Sequence, residues 1–336
     1  MNVLLAGGAG YIGSHTAVAL LKAGYKLFIL DNLSNSRISV LETIKSLSGK
    51  DFIFEEMDLR NYRRVVKFCA RTKIDVIVHL AGLKSVGESV KEPLPYYENN
   101  ILSSINLCKT VSQLGIRNFI FSSSATVYGK PERLPIDEEC CSSKAISPYG
   151  RTKVAIEQML MDLQTSNKDL RVVSLRYFNP AGAHPSGFLG ESPKGAPNNL
   201  IPILSRVAAG EQPELVIYGD DYLTHDGTCI RDYLHIQDLA EAHVAAVRKI
   251  PFLRGWKAFN LGIGKGYSVK EVLGSYEKAA GRPLPYIVEG RRSGDVDCTY
   301  TKTQRANEEL DWFAKRDLDE ICSDAWRWQC NMYGQR

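Results

Sequence analysis

The stretch that most limits what this 336-residue chain can become lies at its N-terminal end. Val3-Leu4-Leu5-Ala6 is a short apolar run that breaks into glycines, and Gly7, Gly10 and Gly13 then stand in a GxxGxxG spacing. A helical pattern follows from Ile12 to Ala23, Gly24 reads as its stop, and Tyr25–Leu30 reads as a second buried strand ending in Asp31. In such a turn the first glycine permits the tight bend. The next lets the backbone approach a pyrophosphate, and the third lets helix and strand pack closely. The helix N-terminus then offers free N–H groups and a positive dipole end to the phosphates. A glycine-rich loop alone is weak evidence. Between a strand and a helix, with an acid 18 residues after Gly13, it points to a bound dinucleotide. Asp31 is placed to accept hydrogen bonds from the adenosine ribose. A carboxylate there repels a 2′-phosphate and favours NAD over NADP, although Arg37 stands near enough in sequence to offer a phosphate partner.

The alternation continues. Strand-like runs recur near 52–54, 75–80, 118–122 and 171–176, with helical patterns near 61–70, 94–114 and 149–167. Strands alternating with helices of this length predict a parallel sheet with right-handed crossovers, a Rossmann-type doubly wound α/β fold. After Phe178 prolines and glycines crowd the chain up to residue 199, and the boundary is placed there. Residues 1–178 are expected to form the NAD-binding domain, and 179–336 a smaller mixed α/β domain for the substrate. Its helices are expected near 200–209, 237–249, 268–280 and 317–330, with about 231–262 packing back on the first domain.

Composition narrows the function classes. The net charge of +4 comes from 42 basic and 38 acidic residues with no block of like charges, which argues against a nucleic-acid arm or a membrane-surface patch. No run of about 18 apolar residues appears, and the N-terminus lacks the pattern of a signal peptide. Eight scattered cysteines form no CxxC pair and no cysteine–histidine metal spacing, so reduced thiols, a cytoplasmic setting and no metal are expected.

The chemistry sits further along. Phe119–Phe121 reads as a buried strand ending in Ser122-Ser123-Ser124, and Tyr149 and Lys153 are one helical turn apart on a shared face. A tyrosine used as a base at pH 7 needs its pKa lowered by roughly 3 units, about 4 kcal/mol. One ammonium at about 4 Å, in an effective dielectric of about 20, supplies close to that. An oxidised nicotinamide ring is a second cation. Lys153 plus NAD⁺ can therefore make Tyr149 a base, and Ser124 can hydrogen-bond the same substrate hydroxyl. Tyr-x-x-x-Lys alone is common on helices; after a dinucleotide loop and a serine-ended strand it reads as a catalytic set.

With those residues assembled, the chain resembles the extended short-chain dehydrogenase/reductase superfamily and, within it, the UDP-glucose (UDP-galactose) 4-epimerases. The likeness runs through GGAGYIGSH at 7–15, LDNLSNS at 30–36, HLAGLKSVGESV at 79–90, FIFSSSATVYG at 119–129, SPYGRTK at 147–153, LRYFNPAGAHPSG at 175–187, PNNLIP at 197–202, DGTCIRDYLHIQDLA at 226–240 and RRSGD at 291–295. One departure is Ala6, where the family often has threonine. The resemblance implies that Tyr11, Ile12, Asp31, Asn32, Leu33, Ser34, Asn35 and Ser36 line NAD. It adds Asp58, Leu59, Leu80, Ala81, Gly82, Leu83, Lys84, Asn99 and Phe178 to that set, together with Ser124, Tyr149 and Lys153. It gives Asn179, Asn199, Leu200, Val216, Ile217, Tyr218, Arg231, Arg292 and Asp295 to the nucleotide sugar, besides Ser124 and Tyr149. Two arginines suit a diphosphate, because a guanidinium matches phosphate oxygens bidentately. A homodimer is also implied, through the 94–114 and 149–167 helices.

The implied reaction inverts C4 of a UDP-hexose, with Tyr149 taking the 4-OH proton and NAD never leaving. A 4,6-dehydratase or decarboxylase of the same fold would need an extra acid and base beside the serine, where this chain has Ala125 and Thr126. A non-catalytic NAD sensor would not need Tyr149 and Lys153. A C4-epimerase acting on UDP-glucuronate remains open, since Arg292 and Asp295 do not decide it. Thr299 falls where the family places a residue beside the hexose. A small residue there goes with acceptance of 2-acetamido sugars, so the UDP-GlcNAc/UDP-GalNAc pair is expected as a second substrate.

Overall fold

The computed structural model describes residues 1–195, 197–292 and 294–334; Ser293 of the RRSGD motif lies outside them. The chain runs β1 (Asn2–Ala6), α1 (Tyr11–Lys22), β2 (Lys26–Asp31), α2 (Val40–Ser48), β3 (Ile53–Glu56), α3 (Tyr62–Thr72), β4 (Val76–His79), α4 (Val86–Lys91), α5 (Pro93–Leu114), β5 (Asn118–Ser124), α6 (Pro148–Ser166) and β6 (Arg171–Tyr177). It continues through β7 (Asn179–Ala181), α7 (Leu200–Ala208), β8 (Leu215–Tyr218), β9 (Ile230–Arg231), β10 (Tyr233–His235), α8 (Ile236–Lys249) and β11 (Trp256–Leu261). The last elements are β12 (Tyr267–Ser268), α9 (Val269–Ala280), β13 (Tyr286–Glu289), β14 (Cys298–Thr299), α10 (Gln304–Leu310) and α11 (Leu318–Tyr333).

Seven strands form one sheet in the order β11-β6-β5-β4-β1-β2-β3. Every pairing is parallel. This is the expected doubly wound fold. Its strands read as unbroken apolar runs because both faces are covered. Leu5, Ile29, Val78 and Ile120 enter one core layer with α1 and α8, while Leu4, Phe28, Ile77 and Phe119 enter the other with α3, α5 and α6. The strand order turns around between β1 and β4, and at such a point the carboxyl ends of strands leave a crevice for a ligand.

A third apolar cluster joins α7, α9 and α11 to β7, β8 and β10. Between the two regions the chain crosses more than once: β11 adds to the edge of the large sheet beside β6, and α8 packs on α1. Three helices differ from the sequence expectation. The short helix α2 carries Val40, Leu41, Ile44 and Leu47 at helical spacing, which the sequence expectation did not include. Helix α10 has only Ala306 and Leu310 to announce it, and the helix expected from 94 is preceded by a separate turn, α4, capped by Ser85 Oγ accepting from the Glu88 amide at 3.3 Å.

One buried ion pair ties α6 to the sheet. Arg176 Nη2 and Nε donate to Glu157 Oε2 and Oε1 at 2.7 and 3.0 Å, and Arg176 Nη1 donates to the Tyr128 hydroxyl at 2.8 Å. Both charged side chains are no more than 3% exposed. Removing one partner strands the other charge, which costs about 3–5 kcal/mol. Arg176→Met should therefore lower unfolding stability by that amount in urea titrations. A loss under about 1 kcal/mol, the size of a routine substitution, would contradict this account.

Candidate active site

The glycine loop closes the crevice on one side. Gly7 has φ +86°, and a Cβ there would lie 2.6 Å from the Ala81 nitrogen. At Gly13 a Cβ would lie 2.1 Å from Gly7 O, so the two glycines bring β1, α1 and the end of β4 into contact that no side chain fits. Gly10 is different: a Cβ there meets only Gly7 O at 3.5 Å, so this residue borders open space. It is also the N-cap of α1 with no side chain capping it. The first-turn amides of Tyr11, Ile12 and Gly13 thus have no intrahelical acceptor and suit an anion.

Asp31 is set more firmly than its sequence position suggests. Its Oδ1 accepts from Leu33 N at 2.9 Å and Ser36 Oγ at 3.1 Å, and its Oδ2 accepts from Ala9 N at 3.0 Å. A carboxylate has about four acceptor positions, so capacity remains for a ribose hydroxyl. Leu33 takes φ +54° to make this turn. Asn32 Nδ2 donates to Asp58 Oδ2 at 3.3 Å, and Ser34 N donates to Asn32 Oδ1 at 3.1 Å. The Arg60 side chain holds Asp58 down to about 2. Across the crevice, Leu80 and Ala81 amides both donate to Ala6 O, Gly82 abuts the Asn100 side chain, and Leu83 N donates to Asn100 Oδ1 at 2.8 Å. Asn99 Nδ2 donates to the same oxygen at 3.1 Å. The uncapped helix end, the open Gly10 and the Asp31 carboxylate together fit a dinucleotide. Leu59 and Phe178 are buried, so for a ligand they offer backbone or a wall.

Ser124 ends β5, one strand from the reversal point, and its Oγ accepts from Thr126 N at 3.2 Å and Thr126 Oγ1 at 3.0 Å. With both acceptor positions taken, the serine proton is left to donate, and it is Ser124 that hydrogen-bonds Tyr149. Thr126, unremarkable as a sequence neighbour, is what orients it. Lys153 is 5% exposed and its Nζ donates to Ser122 O at 2.7 Å. That ammonium lies 4.9 Å from the Phe121 ring centroid and 5.7 Å from that of Tyr149.

The electrostatics differ from the sequence expectation. Burial pushes Tyr149 up to about 12, opposed only by the Ser124 hydrogen bond, and burial pulls Lys153 down to about 8, opposed by Glu157. Lys153 is committed to Ser122 O and does not depress Tyr149 by itself. The tyrosine is protonated here, so further positive charge is needed to make it a base. Behind it, His243 Nδ1 faces Leu239 O at 2.8 Å and so carries the ring proton, because burial holds the ring neutral, with its pKa at about 4. Its Nε2 therefore accepts from the Tyr177 hydroxyl at 2.6 Å. Glu157, four residues after Lys153 as Lys153 is after Tyr149, was findable from spacing; His243 was not.

Part of the second group of expected residues is brought together around Asp295. Arg292 pairs with Asp295 through Nη2–Oδ1 at 3.0 Å and Nε–Oδ2 at 3.1 Å, and Arg231 Nη2 lies 3.7 Å from the same carboxylate. The Arg292 guanidinium lies 5.5 Å from the Tyr218 ring centroid, at the end of β8. Val216 is half-buried, whereas Ile217 is in the core and presents only backbone. Thr299 is the register partner of Arg231 in the β14–β9 pair. Asp232 fixes this corner by accepting from Ile263, Gly264 and Thr301 amides at 2.8, 3.0 and 3.1 Å. Asn179 opens β7, Asn199 caps α7 and Leu200 begins it. Among the described residues no group of His, Cys, Asp and Glu could hold a metal ion.

Residues 3–262 match the family model described as the NAD dependent epimerase/dehydratase family. The chain belongs to that family. Within this epimerase/dehydratase family it is 51% identical to the UDP-glucose 4-epimerase of Schizosaccharomyces pombe, over 98% of this chain and 94% of that one. It is 49% identical to the UDP-glucose 4-epimerase of Bacillus subtilis, over 98% and 97%. It superposes on the crystal structure of UDP-glucose 4-epimerase from Bifidobacterium longum in complex with NAD⁺ and UDP with a TM-score of 0.96, at 44% identity and full coverage of both chains.

A buried cationic lysine is a cost to the fold. Below pH 8 Lys153 is charged in both native and unfolded states and the penalty is complete; from about 8 to 10.5 the native form loses its proton first and the penalty fades. Lys153→Met should therefore be more stable than the parent at pH 7, by about 2–3 kcal/mol, with the gap closing as pH rises through that window. Denaturant titrations at pH 7 and 10 check this. A less stable variant at pH 7 contradicts it.

Proposed function

We propose that the chain interconverts UDP-galactose and UDP-glucose by inverting C4 of the hexose, using tightly bound NAD. The observation that carries this is the Ser124–Tyr149–Lys153 set at the carboxyl edge of the sheet, in a chain about half identical to UDP-glucose 4-epimerases over nearly its whole length. Bound NAD would supply the acceptor and donor of hydride at C4, and return of that hydride to the other face of the sugar would invert the carbon. The residues proposed to hold it are the α1 amides, Asp31 to Ser36, Asp58 and Leu59, the 80–84 segment, Asn99 and Phe178.

The protein's own part is proton handling and positioning. Tyr149 Oη takes the 4-hydroxyl proton and keeps it until it is given back, while Ser124 donates to the same oxygen of the sugar. Lys153 holds positive charge beneath the phenol, and the cationic ring of the oxidised cofactor is the further charge that Tyr149 requires. Arg231 and Arg292 hold the diphosphate from one side, with Asn179, Asn199, Leu200 and β8 around the uridine. Residues 179–336 thus serve mainly the nucleotide sugar, and 1–178 the dinucleotide. A second copy of the chain is proposed to pack on the outer faces of α5 and α6, where an apolar groove of about 500 Å³ includes Ile105, Cys108, Met159 and Leu163. All eight cysteines are free thiols, and no helix among the described residues is long and apolar enough to cross a membrane; a cytoplasmic setting agrees with both.

Tyr149→Phe should lower turnover of UDP-galactose by a factor of about 10² to 10⁴ while NAD and UDP still bind in calorimetry. In the intact protein, the Tyr149 absorbance titration should lie at lower pH with NAD⁺ than with NADH, because reduction removes the ring's charge. Identical titrations would remove the proposed coupling between redox state and base.

Thr299 carries the proposal of a wider substrate range. Its register beside Arg231 puts it next to the diphosphate grip, and the ring of Tyr300 lies instead toward Gly266. A threonine leaves room that an aromatic ring would fill, so the UDP-GlcNAc/UDP-GalNAc pair should also be interconverted. Assays of both sugar pairs with wild type and Thr299→Tyr test it: the substitution should suppress the acetamido activity selectively. An unchanged ratio of the two activities refutes the assignment.

A further inference from the structure

Glu191 belongs to neither ligand set above, yet its carboxylate joins them. Oε1 accepts from Lys84 Nζ at 2.6 Å and from Asn199 Nδ2 at 3.3 Å, and Oε2 accepts from the same amide at 3.5 Å. Lys84 follows β4 in the segment given to the dinucleotide; Asn199 caps α7 on the side given to UDP. The Glu191 side chain is 10% exposed, so these contacts are only partly screened. Lys84 is held on its other side by the Tyr11 ring, 5.8 Å from Nζ to centroid, and the Tyr11 hydroxyl donates to Gly182 O at 2.7 Å. Three residues on, Lys194 reaches the loop after β2: its amide donates to Asn35 Oδ1 at 3.3 Å and its ammonium to Leu33 O at 2.5 Å. The 191–194 segment thus touches the dinucleotide side twice and the UDP side once.

We infer that Glu191 is a positioning residue that couples occupation of the UDP subsite to the grip on the dinucleotide, so that bound UDP slows the loss of NAD. The inference rests on the two ligand assignments under Proposed function. By taking the amide N–H of Asn199, Glu191 leaves Asn199 Oδ1 to face a ligand as an acceptor. By pairing with Lys84, it keeps that ammonium beside the first turn of α1. A ligand that pins either residue also pins the shared carboxylate, and the second ligand then meets an already ordered partner and loses less conformational freedom on binding. Linkage makes the effect reciprocal: NAD strengthens UDP binding by the same factor.

A purely structural salt bridge would weaken both ligands and leave their mutual influence intact, and that difference is what the experiment reads. Exchange of bound NAD for radiolabelled NAD is followed in the holoenzyme with and without saturating UDP. UDP should slow exchange in the wild type by about fivefold or more. In Glu191→Ala exchange should be faster, with a ratio near one between the two conditions. Glu191→Gln keeps an acceptor for Asn199 and loses the charge for Lys84, so it should fall between. Asn199→Ala cuts the other arm and should also bring the ratio near one, which serves if Glu191→Ala does not fold. A ratio in Glu191→Ala as large as in wild type overturns the inference, as does a wild type whose exchange ignores UDP. Conversion of UDP-galactose by the wild type is measured separately. If it fails, the reading of the site falls and takes this inference with it; if it succeeds while the exchange ratio survives in Glu191→Ala, the coupling alone is wrong.

Discussion

A methyl group on Gly13 would sit 2.1 Å from the carbonyl oxygen of Gly7 and 2.7 Å from Gly8 Cα, and neither neighbour is a side chain that can turn away. That backbone-on-backbone approach sets where α1 begins, and α1 sets much else. Its N-terminus comes to rest over the carboxyl edge of the sheet, close enough for Ala9 N to reach Asp31 across from β2. Its flank receives α8, which carries the C-terminal part of the chain back against the sheet. The crevice is thus fixed by van der Waals contact of main chain, the least compliant contact a protein has.

Against that rigid edge the chain places charges in poor solvent. Lys153 is buried beneath Tyr149, and the nearest carboxylate on the same helix face, Glu157, is already bound by both arms of the Arg176 fork. Glu157 therefore raises Lys153 only modestly against burial. The outcome is a lysine kept close to its titration range and a tyrosine kept well above it. Neither would be tolerated in a core built for stability alone; they persist because α6, held between α5 and strands β5 and β6, over-determines their positions.

Much of this was legible in the sequence. Unbroken apolar strands, glycine spacing and the acid ending β2 gave the sheet and the crevice, because each reflects a local backbone requirement. Tyr149 and Lys153 were legible for the same reason: their four-residue spacing is helical geometry. What escaped was relational. The Thr126 bonds that aim the Ser124 proton, the His243 ring behind Tyr177 and the Glu191 bridge depend on residues brought together from 2 to 107 positions apart, or on which lone pair is already used. The direction of the Tyr149 shift escaped as well. Spacing shows that an ammonium is near, but not that it is already hydrogen-bonded to Ser122 O, nor how much water burial removes.

Asp295 touches both Arg231 and Arg292, and this has a bearing on traffic through the site. On the proposed assignment of both arginines to the diphosphate, an incoming diphosphate must take over contacts that a carboxylate of the same chain already makes, so its net gain is a difference between two anions and not the full attraction of two cations. The same carboxylate is at hand when the nucleotide departs. The barrier to departure is lowered, since neither guanidinium is left bare as the contact breaks. For a reaction whose substrate and product differ only in the configuration of one carbon, such tempering acts on both alike: it shortens the stay of each and leaves the ratio of their affinities unchanged.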